Sequence, residues 1–137
     1  HATKAAAKEG YVPGGGVAFI RAIAAVDSAR QKARGDDKLG FDIVAEALEL
    51  PLRQIVENAG DDGFLVVEQI KDKKTNDGYD AAKGDYVDMV KAGIIDPALV
   101  ARTALLNAAS VAGLMLTTNV LVTELEDDDE PVETAVA

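Results

Sequence analysis

The sequence predicts a mainly α-helical chain with a few short β-strands. Three observations carry that prediction. Apolar residues recur at spacings of three and four along most of the chain, the period that puts one face of a helix against a core. Aromatic residues make up only 4% and tryptophan is absent, so small and aliphatic side chains would let helices approach one another closely. Residues that favour strands gather in only two places, around Tyr79 and Tyr86 and across residues 119–125.

The elements follow in order. Residues 2–9, Ala-Thr-Lys-Ala-Ala-Ala-Lys-Glu, have high helix propensity, and Gly10 suits the position just past a helix end. Pro13-Gly14-Gly15-Gly16 breaks the chain, and Val17, Ile20, Ile23 and Ala24 restart a helix near Gly16 that runs to about Ala33. Residues 34–39 read as a polar turn. Phe41, Val44, Ala45, Leu48, Leu52, Ile55, Val56 and Ala59 then form the cleanest helical series, with Pro51 predicting a kink or brief break inside it. Gly60 ends that series. Asp61 or Asp62 caps a short helix expected to turn Phe64, Val67 and Ile70 inward.

Residues 71–78 are polar and loop-like, and Tyr79 and Tyr86 suit short strands. Asp96-Pro97 reads as an N-cap followed by proline at the first helical position, opening a helix to about Thr117. Met115 and its aliphatic neighbours are expected in the core. A terminal strand over residues 119–125 would pair with a hairpin at 78–88 or with sequence outside the chain. The acidic block 126–130 opens a tail, 126–137, expected to be flexible and solvated.

Composition narrows the chemistry. With 137 residues, 48% hydrophobic and 28% charged, the chain can build one modest core. Fourteen Lys and Arg against 24 Asp and Glu give a net charge of −10, which disfavours nucleic acid and anionic membranes as partners. Cysteine is absent and His1 is the single histidine, which argues against thiolate or histidine metal sites and against an acid–base triad. A fully apolar run of roughly 20 residues is not seen, since Ser110 and Gly113 interrupt the weakly polar stretch 108–116. A cytoplasmic protein, without membrane or nucleic acid as partner, is the expectation. His1 stands where a native chain has methionine, so the sequence reads as a fragment or processed product.

Three places could carry chemistry. The glycine bend before a helix can aim backbone N–H groups and the positive end of a helix dipole at an anion, or be a plain turn between helices. It is not the G-x-x-x-x-G-K-[ST] phosphate loop. Asp96 can accept hydrogen bonds from vicinal ribose hydroxyls, or simply cap its helix. Asp80, Ala81 and Ala82 offer backbone groups and one short acid beside small residues, or an ordinary turn. No nucleophile–base pair is visible.

Taken together, six segments resemble the group I chaperonins, the GroEL/Hsp60 family. They are His-Ala-Thr-Lys-Ala-Ala at 1–6, Pro-Gly-Gly-Gly-Val-Ala at 13–18, Pro-Leu-Arg-Gln-Ile-Val-Glu-Asn-Ala-Gly at 51–60, Gly-Tyr-Asp-Ala-Ala at 78–82, Ala-Gly-Ile-Ile-Asp-Pro at 92–97, and Asn-Ala-Ala-Ser-Val-Ala-Gly-Leu-Met-Leu-Thr-Thr at 107–118. They occur in family order across roughly residues 1–125. The resemblance implies a helical fragment of the equatorial, ATP-binding domain. Residues 1–9 would end the intermediate domain's re-entry helix, and 10–125 would form the C-terminal half of the equatorial domain.

It further implies ATP as ligand, with Mg and K ions bound through other parts of the subunit. Gly14 and Gly15 would lie against ribose and phosphate, Asp80, Ala81 and Ala82 would border adenine, and Asp96 would take the ribose hydroxyls. Partners by resemblance are unfolded client proteins, a co-chaperonin and identical subunits in a double heptameric ring. The family usually has asparagine where this chain has Asp80, so the amide donor is lost. The family's catalytic aspartate falls just before His1, and its Asp-Gly-Thr-Thr-Thr phosphate loop and magnesium-binding aspartate belong to the N-terminal part. The Gly-Gly-Met repeats of many bacterial members are absent from the tail. The competing expectation is a non-enzymatic helical oligomerisation module.

Overall fold

In the computed structural model, which describes residues 2–120, six helices surround two short β-ribbons. Helix α1 (Ala2–Glu9) stops where Gly10 turns into the left-handed region, its N–H closing on Ala6 O at 2.8 Å. Strand β1 (Tyr11–Pro13) leads into the glycine bend, and helix α2 (Val17–Lys32) leaves it. Helices α3 (Asp37–Ala47) and α4 (Leu50–Asn58) divide the long apolar series. The break falls at Leu48 and Glu49 because Pro51, which lacks an N–H, is accepted only in the first turn of a new helix. Helix α5 (Gly63–Lys71) is capped as expected by Asp62, whose side chain accepts from Leu65 N at 3.0 Å.

Strands β2 (Asp77–Asp80) and β3 (Asp85–Asp88) form a hairpin in which Tyr79 faces Tyr86. Their rings meet edge to face at 5.2 Å. Strand β4 (Ile95–Pro97) pairs antiparallel with β1, and helix α6 (Ala98–Thr117) follows. The core is Ile20 from α2, Leu52 and Val56 from α4, Val66, Val67 and Ile70 from α5, and the Tyr79 ring. Arg21 on α2 straps this core to the hairpin, donating to Ile70 O at 2.9 Å, Lys74 O at 2.6 Å, Thr75 O at 3.2 Å and Asp77 O at 3.2 Å. Those bonds satisfy carbonyls at the end of α5 and fix where β2 begins.

Several expectations are corrected. The β1–β4 ribbon was not foreseen, since three-residue strands containing Pro13 and Pro97 carry no alternating pattern. Phe64 points outward under Arg53, whose guanidinium carbon lies 5.7 Å from the ring centre, while Val66 takes the inward place beside Val67 and Ile70. Val44 and Ile55 are also exposed, so only part of the long apolar series reaches the core. Met115 and its neighbours Val111, Leu114 and Leu116 are exposed.

Helix α6 is long and apolar enough, by length and composition, to cross a bilayer, contrary to expectation; serine and glycine interrupted the run without adding charge. The start of α6 lies against α1 and β4, and Arg102 clasps Glu9 through two bonds, at 3.1 and 2.5 Å. Farther along, an apolar cavity of about 460 Å3 opens between α6 and Phe19, Ile43, Val44, Leu48 and Pro51. Residues 119 and 120 are not in a strand, the hairpin pairs with itself, and the rest of the expected terminal strand and the acidic tail lie outside the described residues.

Candidate functional site around the glycine bend

The glycine bend is the junction on which three segments meet. Gly14 N donates to Ile94 O at 2.9 Å, and a Cβ on Gly14 would lie 3.1 Å from that oxygen and 3.2 Å from Ile95 N. Backbone thus lies directly on backbone, and a side chain here would push its neighbour away by a few tenths of an ångström. Gly16, with φ of 83°, caps α2, and a Cβ there would stand 2.6 Å from Leu52 N. Both residues are buried, whereas Gly15 between them is partly exposed. Among the described residues, the N–H groups of Gly15, Gly16 and Ala18 have no acceptor, and no side chain caps α2. They are the free donors and positive dipole end of a helix start.

Asp96 flanks the bend on one side. In the β1–β4 register it lies opposite Val12, two residues before Gly14, so the two side chains share a face of the ribbon. The helix is capped by Pro97, without a side-chain bond, and the capping role expected for Asp96 is not found. Its exposed carboxylate makes no hydrogen bond or ion pair among the described residues. A carboxylate so placed keeps its lone pairs for an external donor.

The β2–β3 hairpin flanks the other side. Alternation puts Gly78 and Asp80 on one face of β2 and Tyr79 on the opposite face. A Cβ on Gly78 would collide with Val17 and Met89, and one on Gly15 would meet Met89 Cε at 3.0 Å and Tyr79 O at 3.9 Å. Asp80 therefore shares the face of β2 that turns toward the bend. Ala81 instead packs on the core, and Ala82 is exposed on the turn. Asp80 is buried, at 7% exposure; its Oδ1 accepts from Ala82 N at 3.1 Å and its Oδ2 faces Lys83 Nζ at 3.3 Å.

The Tyr79 ring enters the core and its hydroxyl donates to Asp61 Oδ2 at 2.6 Å, tying the hairpin to the α4–α5 turn. That bond to a carboxylate, with burial as the lesser cause, pushes the phenol up to about 12. Burial likewise raises Tyr86. At the root of α6, Arg102 holds Glu9 below the usual carboxylate range. Met89, Arg21 and Tyr79 support the site, and periodicity gave no sign of them. The approach of Lys83 to Asp80, three residues earlier on a tight turn, is the one contact that spacing could have suggested.

Gly14, Gly15 and Asp96 thus meet at one bend, with Asp80 on the face of β2 turned toward it, while Ala81 serves the core and Ala82 lies exposed on the hairpin turn. A sequence profile of the TCP-1/cpn60 chaperonin family matches residues 1–125. The chain belongs to this chaperonin family. Among solved structures it is similar to a group III chaperonin crystallised in the open state, at 32% identity and a TM-score of 0.78. That match covers 86% of the present chain and 25% of the relative, so the chain spans about a quarter of the chaperonin it resembles. The mostly helical fold with few short strands is that of a chaperonin equatorial-domain fragment.

Proposed function

We propose that this chain is the C-terminal part of the equatorial domain of a group I chaperonin and supplies the adenosine side of its ATP site. Residues 1–9 end the intermediate domain, residues 10–125 belong to the equatorial domain, and 126–137 form an acidic tail. The complete subunits form a double heptameric ring in the cytoplasm, which uses ATP to fold client proteins with a co-chaperonin. The six family segments support the group I assignment. The observation that supports the site is the β1–β4 register, which sets an unpartnered Asp96 carboxylate on the ribbon that leads into the glycine bend and its free donors, with Asp80 on the face of β2 turned toward that bend.

Asp96 accepts hydrogen bonds from the vicinal ribose hydroxyls, and charge on the acceptor makes them stronger than neutral ones. The Gly15, Gly16 and Ala18 N–H groups, at the positive end of α2, receive phosphate oxygens. The exposed Ala82 edge leaves room for a flat base. Among the described residues no group of three acidic or histidine side chains could hold a metal ion. On this reading, Mg and K ions would be held by other parts of the subunit.

Asp96→Ala in the complete subunit tests the site. Since Asp96 caps nothing, ATP affinity should fall by about tenfold or more, with the melting temperature shifted by no more than about 2 °C. Unchanged affinity with a lowered melting temperature would refute the assignment. The exposed apolar side of α6 favours a second reading, a helical oligomerisation module without nucleotide. It predicts no heat on titrating the complete subunit with ATP.

A further inference from the structure

The segment joining α5 to β2, residues 72–76, is shaped by one side chain from another helix. Arg21 Nη1 donates to Ile70 O at 2.9 Å, Nη2 to Lys74 O at 2.6 Å and Asp77 O at 3.2 Å, and Nε to Thr75 O at 3.2 Å. These four carbonyls converge on a planar fork whose donors point in fixed directions. Asn76 O, between them, accepts from Met89 N at 2.8 Å. Charge adds to the geometry. Asp77 lies opposite Asp88 in the hairpin register, so two carboxylates stand at the open end of the hairpin and repel. Lys91 Nζ meets Asp88 Oδ2 at 3.3 Å, and the Arg21 charge lies near Asp77. Burial pulls Arg21 below its ordinary range, and Asp77 opposes that shift.

Arg21 stands four residues after Val17, the first residue of α2, so both project from one face of that helix. Val17 makes the contact nearer the glycine bend: a Cβ on Gly78 would lie 2.6 Å from Val17 Cγ2. The neighbouring β2 residues Asp77 and Gly78 are therefore fastened to α2 at two points, one by charge-assisted hydrogen bonding and one by packing. A strand held at a single contact can pivot; a second contact removes that freedom. We propose that Arg21 is a positioning residue of the nucleotide site, holding the β2–β3 hairpin at a fixed angle to the glycine bend. Its donors are turned to backbone, so it acts on the ligand only through the hairpin. The hairpin is then ordered on folding, and binding does not have to order it. This rests on the reading of the glycine bend and Asp96 as an adenosine site.

The test is a titration of the complete, assembled subunit with ATP, well below its melting temperature, with hydrolysis followed in parallel. In Arg21→Ala the ATP affinity should fall about tenfold, the scale of a lost charge-assisted bond. KM should rise while kcat stays within about twofold, the mark of lost binding rather than lost chemistry. Methylguanidinium ion at millimolar concentration should restore most of the affinity by reoccupying the vacated carbonyls, and ammonium ion at the same concentration should not. Arg21→Lys keeps the charge but lacks the fork, so it should resemble Arg21→Ala, and it carries the test if Arg21→Ala does not fold. Val56→Ala, a truncation in the core, should lower stability and leave ATP affinity unchanged. Wild-type affinity in either Arg21 variant, no response to methylguanidinium, or an equal loss in Val56→Ala overturns the assignment. An Asp96→Ala variant is measured alongside. If it weakens ATP while the Arg21 variants do not, positioning alone fails; if Asp96→Ala leaves binding intact, the placement of the nucleotide fails with it.

Discussion

Asp96 and Tyr79 illustrate how similar polar groups acquire different work from their surroundings. Asp96 sits at a helix entrance where an aspartate ordinarily caps, yet Pro97 takes that position and Asp96 is drawn into a ribbon. Its position is decided by pairing with Val12, which no local pattern announces. Tyr79 is fixed by a buried ring and by Asp61. Its pKa rises from 10.0 to about 12 on folding, so its contribution to stability is complete below pH 10 and is lost as pH rises toward 12. The sign follows from the unfolded chain releasing its proton first. Urea denaturation between pH 8 and about 12 should therefore fall more steeply above pH 10 in the wild type than in Tyr79→Phe. Identical slopes would mean that the Asp61 bond does not persist in solution.

The helices were largely legible because their apolar period is long and redundant. The ends of α1 and α6, the restart at Gly16 and the Asp62 cap all follow from local chemistry. The β1–β4 ribbon was hidden because its partners are about 85 residues apart and only three residues long. Inward and outward assignment failed for Phe64 because a short helix allows more than one apolar side, and Arg53 offers the ring a cation outside. The glycine bend was legible as a break but not as a packing joint, a property that depends on α4 crossing it. Gly16→Ala tests that joint: with φ of 83° and Leu52 N 2.6 Å from the new methyl, the α2–α4 contact must open. A loss of about 3 kcal/mol in unfolding free energy is expected. A loss under about 0.5 kcal/mol would mean that the bend is not held against α4.

Considered as a whole, the chain has one well-filled core and one unfinished side. The core lies under the hairpin and the bend, so the candidate site rests on the rigid part of the fold. The unfinished side, along α6 and the outer face of α3, exposes Ile43, Leu106, Leu114 and Leu116. Patches of this kind mark surfaces made to be covered. On the proposed reading, the catalytic side of the ATP site belongs to the rest of the subunit. The 137-residue chain by itself should accordingly show no magnesium-dependent ATP hydrolysis above background; measurable turnover would contradict the division of the site. The most direct test of that division is a nucleotide-bound structure of the complete ring. The account predicts one adenosine with its ribose hydroxyls on Asp96, its phosphates at the Gly15 and Gly16 N–H groups, and its base against the turn at Asp80 and Ala82. A nucleotide bound elsewhere, with Asp96 open to solvent, would contradict it.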